Sequence, residues 1–181
     1  ADTVLKHFRA EDGGFFDTSD DHEKLIVRPR QLQDNATPSG NAMMAKQLLR
    51  LSAYTGEHDY DAAARGVIAP LIAVMQQYPQ AVGEGLNAAA MLVNGLTEVA
   101  LVGNPVQAET KSLLKELRET YRPNVVVALA RQNVDGETNI PLLNYRTMRE
   151  GKPTVYVCRN FACRMPVTTV AEMTDLLENA D

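Results

Sequence analysis

Glu98-Val99-Ala100-Leu101-Val102 is a short apolar run that stops at Gly103. A run of this length closed by a glycine suits a strand buried on both faces. Asn104-Pro105 then opens a helical stretch to about Tyr121, with Asn104 as the expected N-cap and Leu113, Leu114, Leu117 and Tyr121 at inward spacing. Val125 to Leu129 is a second apolar run. Strand, helix and strand over about 30 residues predict a right-handed parallel βαβ unit. A loop from Arg131 to Lys152 follows, with one helical turn expected near Leu142. Thr154 to Cys158 supplies a third strand, and Val170 to Asn179 a closing helix capped by Thr168 or Thr169. Residues 98–181 are therefore expected to form a small α/β unit with a three-stranded, mainly parallel sheet.

Upstream of Thr97 the apolar residues recur at helical rather than strand spacing. Tyr60, Ala63, Ala64, Val67, Ile68, Leu71, Ile72 and Met75 keep one face over several turns, up to Pro79. Pro70 lies inside this pattern and should kink the helix, because it lacks a backbone donor. A preceding helix is expected from Thr37, as N-cap, with Pro38 at its first position, to about Tyr54, where Gly56 ends it. A following helix is expected over Leu86 to Leu96, and a short one over Ala1 to Arg9. Near the start, Phe15–Thr18 and Leu25–Arg28 are spaced to pair as a short β-hairpin across an acidic loop. Residues 1–97 thus read as antiparallel helical hairpins with a short β-hairpin near 15–28, and the whole chain as α+β.

The bulk properties fit a globular protein. The chain has 181 residues, 45% hydrophobic and 23% charged, with a net charge of −5 and the two signs interspersed. No basic stripe interleaved with aromatics occurs, which argues against nucleic acid as a partner. The longest apolar runs, such as Val125 to Ala130, are far too short to span a bilayer, so no membrane partner is expected. The two cysteines, Cys158 and Cys163, fit a reducing compartment, and a cytoplasmic location is expected. The chain starts at Ala1 rather than at a methionine, which points to a piece of a longer protein.

Two sets of motifs carry a family resemblance. One is Gly13-Gly14-Phe15-Phe16-Asp17-Thr18, then Arg28-Pro29, then Asp34-Asn35-Ala36-Thr37-Pro38-Ser39-Gly40-Asn41-Ala42. The other is Tyr156-Val157-Cys158-Arg159-Asn160-Phe161-Ala162-Cys163, followed by Pro166-Val167-Thr168. In this order they resemble the C-terminal region of the spermatogenesis-associated, thioredoxin-domain-containing proteins and their bacterial relatives. The resemblance implies a thioredoxin-like domain and the first half of an (α/α)₆ toroid upstream. That toroid is similar to those of sugar epimerases and six-hairpin glycosidases. This chain would hold the last hairpins and an α/β appendage. The resemblance implies no settled biochemical activity.

The loop-rich stretch from Asp17 to Asn41 is the best candidate for a site. Asp17 and Asp34 are candidate catalytic carboxylates, since paired carboxyl groups can serve as acid and base on a sugar. Arg28 and Asn41 are candidate ligand-binding residues, Arg28 through its planar fork. Against this stands a structural reading, in which the aspartates bond to backbone amides at turns and Arg28 clamps the loop. Ser39 has no local base to activate it and, with Thr37, is expected to cap a helix. Cys158 and Cys163 are separated by four residues rather than the two of a common redox pair, so two buried thiols or a structural disulfide is the default, with a redox role as the alternative. No metal site is expected, because ligands for a closed zinc centre are lacking. No cofactor is expected either.

Three functional readings follow. In the first, this piece is a scaffold or interaction region without a complete active site, and exposed helical faces drive homo-oligomer formation. In the second, Asp17, Arg28, Asp34 and Asn41 contribute to a carbohydrate-binding or sugar-modifying cavity of the full-length toroid. In the third, Cys158 and Cys163 carry thiol chemistry.

Overall fold

The computed structural model describes residues 1–23 and 26–179. They form two compact units: Ala1–Ser52 with Glu57–Asn94, and Ala53–Gly56 with Gly95–Asp181. No helix among the described residues is long and apolar enough to cross a membrane.

The first unit is helical. It contains α1 (Asp2–His7), α2 (Gly40–Thr55, whose last residues belong to the second unit), α3 (His58–Ile68), α4 (Ile72–Gln77) and α5 (Gly83–Asn94). The periodic stretch after Tyr60 is broken where Pro70 lies: a 3₁₀ turn at Ala69–Leu71 separates α3 from α4. A second 3₁₀ turn, Pro79–Ala81, precedes α5, which therefore begins at Gly83 rather than Leu86. The core is built from small and branched side chains: Ala45, Leu48, Ala64, Val67, Leu71 and Ala88 are almost wholly buried. Helix α2 starts at Gly40, two residues later than Pro38 suggests. Ser39 is its cap, with Oγ accepting from Ala42 N–H at 3.2 Å, and Thr37 lies outside the helix.

The expected hairpin near 15–28 includes Leu25, which lies outside the described residues. Phe15 forms a single antiparallel bridge with Arg9, and Asp17 N–H donates to the Pro29 carbonyl at 2.9 Å. Gly13 has φ +98°, and a Cβ there would meet Gly66 O of α3 at 2.3 Å. Only glycine suits a backbone this close to a neighbouring helix.

The second unit carries a four-stranded mixed sheet of order β2-β1-β3-β4, with β1 Thr97–Val102, β2 Val125–Ala130, β3 Thr154–Arg159 and β4 Ala162–Cys163. This corrects the expected three-stranded, mainly parallel sheet. Strands β1 and β2 pair in parallel, Val99 opposite Val127, across α6 (Ala108–Glu119), as the strand-helix-strand pattern predicts. Strand β3 runs antiparallel to β1, Val99 opposite Val157, and β4 is a short hairpin return on β3. The segment 131–153 between β2 and β3 contains only a 3₁₀ turn at Pro141–Leu143 and no crossover helix. Without that helix, a long loop delivers β3 in the opposite direction.

Both faces of the sheet are covered. Val99, Leu101, Val155 and Val157 pack with Leu113 of α6 and with Met173 of α7 (Val170–Glu178). Ala100, Val102, Ala128 and Tyr156 pack with Leu142, Leu143 and Ala53 on the other face. Helix α7 starts with a reciprocal capping box between Thr169 and Glu172. Asn104 is not the cap of α6. Its Oδ1 accepts from Val106 N–H at 3.1 Å in a local turn, and the helix begins after Gln107. Gly103, which closes β1, sits where a Cβ would meet Thr110 Oγ1 at 2.7 Å and Pro153 Cβ at 2.9 Å. Tyr54 places its hydroxyl against β2, donating to Val127 O at 3.2 Å and accepting from Val127 N–H at 3.3 Å.

Candidate functional site

The residues singled out between Asp17 and Asn41 lie in one unit, yet each is held by backbone groups. Asn41, 2% exposed, accepts from Phe15 N–H at 2.7 Å. Its amide nitrogen donates to Phe15 O at 2.9 Å and to Gln31 O at 3.0 Å. The side chain thus acts as a piece of replacement backbone between two loop segments, which a buried amide can do because it both donates and accepts.

Asp34 joins two helix starts. Its Oδ1 accepts from Ser39 N–H at 2.8 Å, just before α2, and its Oδ2 accepts from Glu84 N–H at 2.8 Å in the first turn of α5. A carboxylate at a helix N-terminus satisfies an orphan donor and meets the positive end of the macrodipole. Glu84 itself ion-pairs with Lys46 at 2.6 Å and accepts from Asn87 at 2.9 Å. Burial alone would raise the Glu84 pKa, but the hydrogen bonds from Lys46 and Asn87 and the Lys46 charge together hold it below the ordinary glutamate value.

Arg28 donates to His7 O at 3.1 Å and to Thr18 O at 2.5 Å, and its guanidinium lies 4.2 Å from the Phe16 ring centroid. Its Nε is buried without a hydrogen-bond partner. Asp17 is exposed and accepts from Gln31 N–H at 3.3 Å. Arg30 pairs with Asp12 and donates to Gly13 O at 2.6 Å. An open recess of about 420 Å³ lies over residues 30–35 and includes Asp34 in its wall, but not Asp17, Arg28 or Asn41. The structure therefore gathers these four residues into one clamp region, where each bonds to backbone groups of neighbouring segments.

Sequence reading misses one nearby cluster. His7 Nδ1 lies 2.7 Å from Asp20 and 3.8 Å from Asp21, so three potential ligand atoms fall within 4.8 Å of one another. His7 is hard to link to the acidic loop from sequence because α1 and the Gly13-Gly14 turn bring it back. Both aspartates are exposed, and Ser19 hydrogen-bonds Asp21. An exposed acidic loop closed by a histidine accounts for this geometry.

The second unit brings Cys158 and Cys163 together. They stand directly opposite in the β3–β4 register and form a disulfide, with Cα atoms 3.8 Å apart. Cys158 is 3% exposed, and Cys163 is half-buried. The Arg146 guanidinium reaches Cys163 Sγ at 2.9 Å while lying over the Tyr156 ring, 4.9 Å from its centroid. Tyr156 is held in turn, its hydroxyl donating to Thr147 O at 2.7 Å. The β3–β4 turn has Asn160 at φ 50° and Phe161 at φ 62°, both in the left-handed region of a tight hairpin. Glu98, 3% exposed, lies under this turn and accepts from Phe161 N–H at 2.9 Å. Burial pushes the Glu98 pKa up, against the opposing pull of the Phe161 and Asn160 amides and the Arg146 charge. Sequence reading singles out neither Glu98 nor Arg146. A charged residue at the head of an apolar strand is a signal for Glu98, and Arg146, in the loop before β3, carries no such signal.

Fold and site together define an α+β chain of two units: a helical one clamped by polar side chains, and a mixed-sheet one bearing a cross-strand disulfide. No family model matches the chain. It is similar to spermatogenesis-associated protein 20 of Mus musculus, 31% identical over 159 residues, which cover 84% of this chain and 20% of that protein. The Rattus norvegicus protein of the same name is 32% identical over 159 residues, again 84% of this chain and 20% of that protein. The Homo sapiens protein is 30% identical over 184 residues, covering 97% of this chain and 23% of that protein. The chain spans about one fifth of the length of these curated relatives, and the similarity supports the family resemblance carried by its motifs.

Proposed function

We propose that this chain is a C-terminal scaffold and interaction region of a longer, cytoplasmic protein of the spermatogenesis-associated family, and that it carries no complete active site. The observation that supports this reading best is Asp34. Both of its oxygens are occupied by backbone donors of two helix starts, which leaves it poorly placed to move a proton on a substrate. Asn41 and Arg28 are similarly engaged with backbone carbonyls. In this proposal the helical unit supplies the last hairpins of an (α/α)₆ toroid, and a thioredoxin-like domain precedes it. Exposed apolar side chains on the helices, Val93 at 83% and Ile72 at 52%, suit contact with further hairpins or with a second copy. Sedimentation at rising concentration tests the last point: a concentration-dependent homo-oligomer is expected, and a monomer throughout counts against it.

A second reading gives the stretch 30–35 a ligand role. Arg30, Gln31, Asp34 and Asn35 line an open recess whose polar groups suit a sugar-like molecule. Thermal-shift screening of sugars on the full-length protein, with Asp34→Ala and Arg30→Ala as controls, separates the two. A sugar that stabilises the parent but neither variant favours the ligand role. No shift with any sugar favours the scaffold.

A further inference from the structure

The Cys158–Cys163 disulfide adds little as a structural staple. It closes a loop of sequence separation 5, and loop-closure entropy grows with loop length, so its effect on the unfolded chain is at the low end. The hairpin is also fixed without it. Arg159 pairs with Ala162, Arg164 N–H donates to Val157 O at 3.0 Å, and Glu98 holds the turn through Phe161 N–H. What the surroundings do favour is chemistry at sulfur. One sulfur is reachable and the other is not: Cys163 is half-buried on the terminal strand of the sheet, whereas Cys158 is 3% exposed. A guanidinium rests on the reachable one, Arg146 Nη2 lying 2.9 Å from Cys163 Sγ. Adjacent positive charge stabilises a thiolate and lowers thiol pKa values. Arg146 is held for that position by stacking on Tyr156. Two residues to either side of Cys163, Phe161 and Met165 are exposed, Met165 at 74%, and give a protein partner apolar surface beside the sulfur.

We propose that Cys158–Cys163 is a thiol–disulfide exchange site that accepts electrons from a dithiol-bearing protein, with Cys163 the sulfur attacked and Arg146 the group that holds its charge. A partner thiolate forms a bond to Cys163 Sγ as the Cys158–Cys163 bond breaks. The electron pair leaves on Cys158 Sγ, which takes up a proton. The partner's second thiolate then attacks its own sulfur in the mixed disulfide and releases Cys163 as a thiolate beside Arg146. The chain's disulfide has gained two electrons, and the partner's dithiol has become a disulfide. One of the partner's thiol protons has gone to Cys158 and the other to solvent. Arg146 is a positioning and charge-stabilising residue in this scheme.

The test begins with the unaltered 181-residue chain, using dithiothreitol as the dithiol probe and maleimide-polyethylene glycol to count free thiols on a gel. Full reduction within minutes in native buffer, with the far-ultraviolet dichroism unchanged, is the expected result. Reduction only after urea unfolding, or two thiols that never form the bond under glutathione oxidation, overturns the proposal. The second measurement uses Cys158→Ser with and without Arg146→Gln, following iodoacetamide modification of Cys163 at mildly acidic pH. The rate should fall about tenfold when Arg146 is replaced, because the thiolate fraction falls. Equal rates overturn the role of Arg146, and if the variants do not fold, the native reduction of the unaltered chain decides the matter alone.

Discussion

Asp34 and Glu84, far apart in the chain, are joined by a 2.8 Å hydrogen bond from the Glu84 amide to the Asp34 carboxylate, whose other oxygen takes the Ser39 amide. One side chain therefore braces both helix starts, holding the amide of Ser39, the cap of α2, and an amide in the first turn of α5. Asp34→Ala should destabilise the helical unit by about 2–3 kcal/mol, since each lost cap is worth roughly 1 kcal/mol and two donors are stranded. Asp34→Asn, which keeps one acceptor, should fall between. Urea unfolding followed by dichroism measures both, and a loss below about 0.5 kcal/mol for the alanine variant would contradict the bracing role of Asp34.

Gly13→Ala should be costly for a separate reason. Its φ of +98° disfavours a side chain, and the added Cβ would lie 2.3 Å from Gly66 O. A loss of about 1–3 kcal/mol is expected. Gly136→Ala is the control: an added Cβ there would meet nothing within 4 Å, and the melting temperature should stay near that of the parent.

The Lys46–Glu84 pair gives the helical unit an acid-sensitive element. The folded pKa of Glu84 is lowered, so its contribution is present above the unfolded value near 4.5 and is lost as pH falls through the folded one. Glu98 has the opposite sign. Its raised folded pKa means that the folded chain binds its proton more tightly, so its contribution to stability declines as pH rises through the window above 4.5. Lys46→Gln should shift the acid-unfolding midpoint of the helical unit upward. Site-resolved carboxyl titration by nuclear magnetic resonance checks both directions, and a Glu84 value above 4.5 contradicts the first.

Thr169→Ala removes the hydroxyl that accepts from Glu172 N–H at 3.3 Å and frees its capping-box partner. About 1 kcal/mol of stability should go with it, and Thr169→Ser should restore most of it. Calorimetric melting of the three proteins makes the comparison. Equal melting temperatures for the alanine and threonine proteins would show that the box carries no weight.

Legibility in the sequence follows the range over which each signal acts. Helical spacing from Tyr60 onward, the break at Pro70 and the parallel pairing of 97–102 with 125–130 rest on local pattern, and the structure shows each of them. The direction of β3 does not rest on local pattern. Residues 131–153 can return a strand either way, and no period in Thr154–Arg159 distinguishes the two. Strand β4 has two residues, too few for any alternation to register. Helix starts differ by a few residues where side-chain bonds decide them, as at Ser39 rather than Thr37 and at Gln107 rather than Asn104. The Asp17–Asn41 stretch is visible as a polar cluster, but whether its groups face a ligand or the backbone depends on folding partners such as Glu84 and Phe15. Arg146 and Glu98 meet the cysteines only through sheet register, so spacing nominates neither.

Strand β2 lies at one end of the sheet, and parallel pairing with β1 leaves the amide and carbonyl of Val127 facing outward. The Tyr54 oxygen already occupies both. An intruding polypeptide that sought to extend the sheet on that side would have to evict a phenol anchored in the layer beneath. The β2 edge is thus plugged at its midpoint by a single hydroxyl, a guard against templated, amyloid-like stacking of neighbouring molecules that Tyr54→Phe would remove without emptying the core.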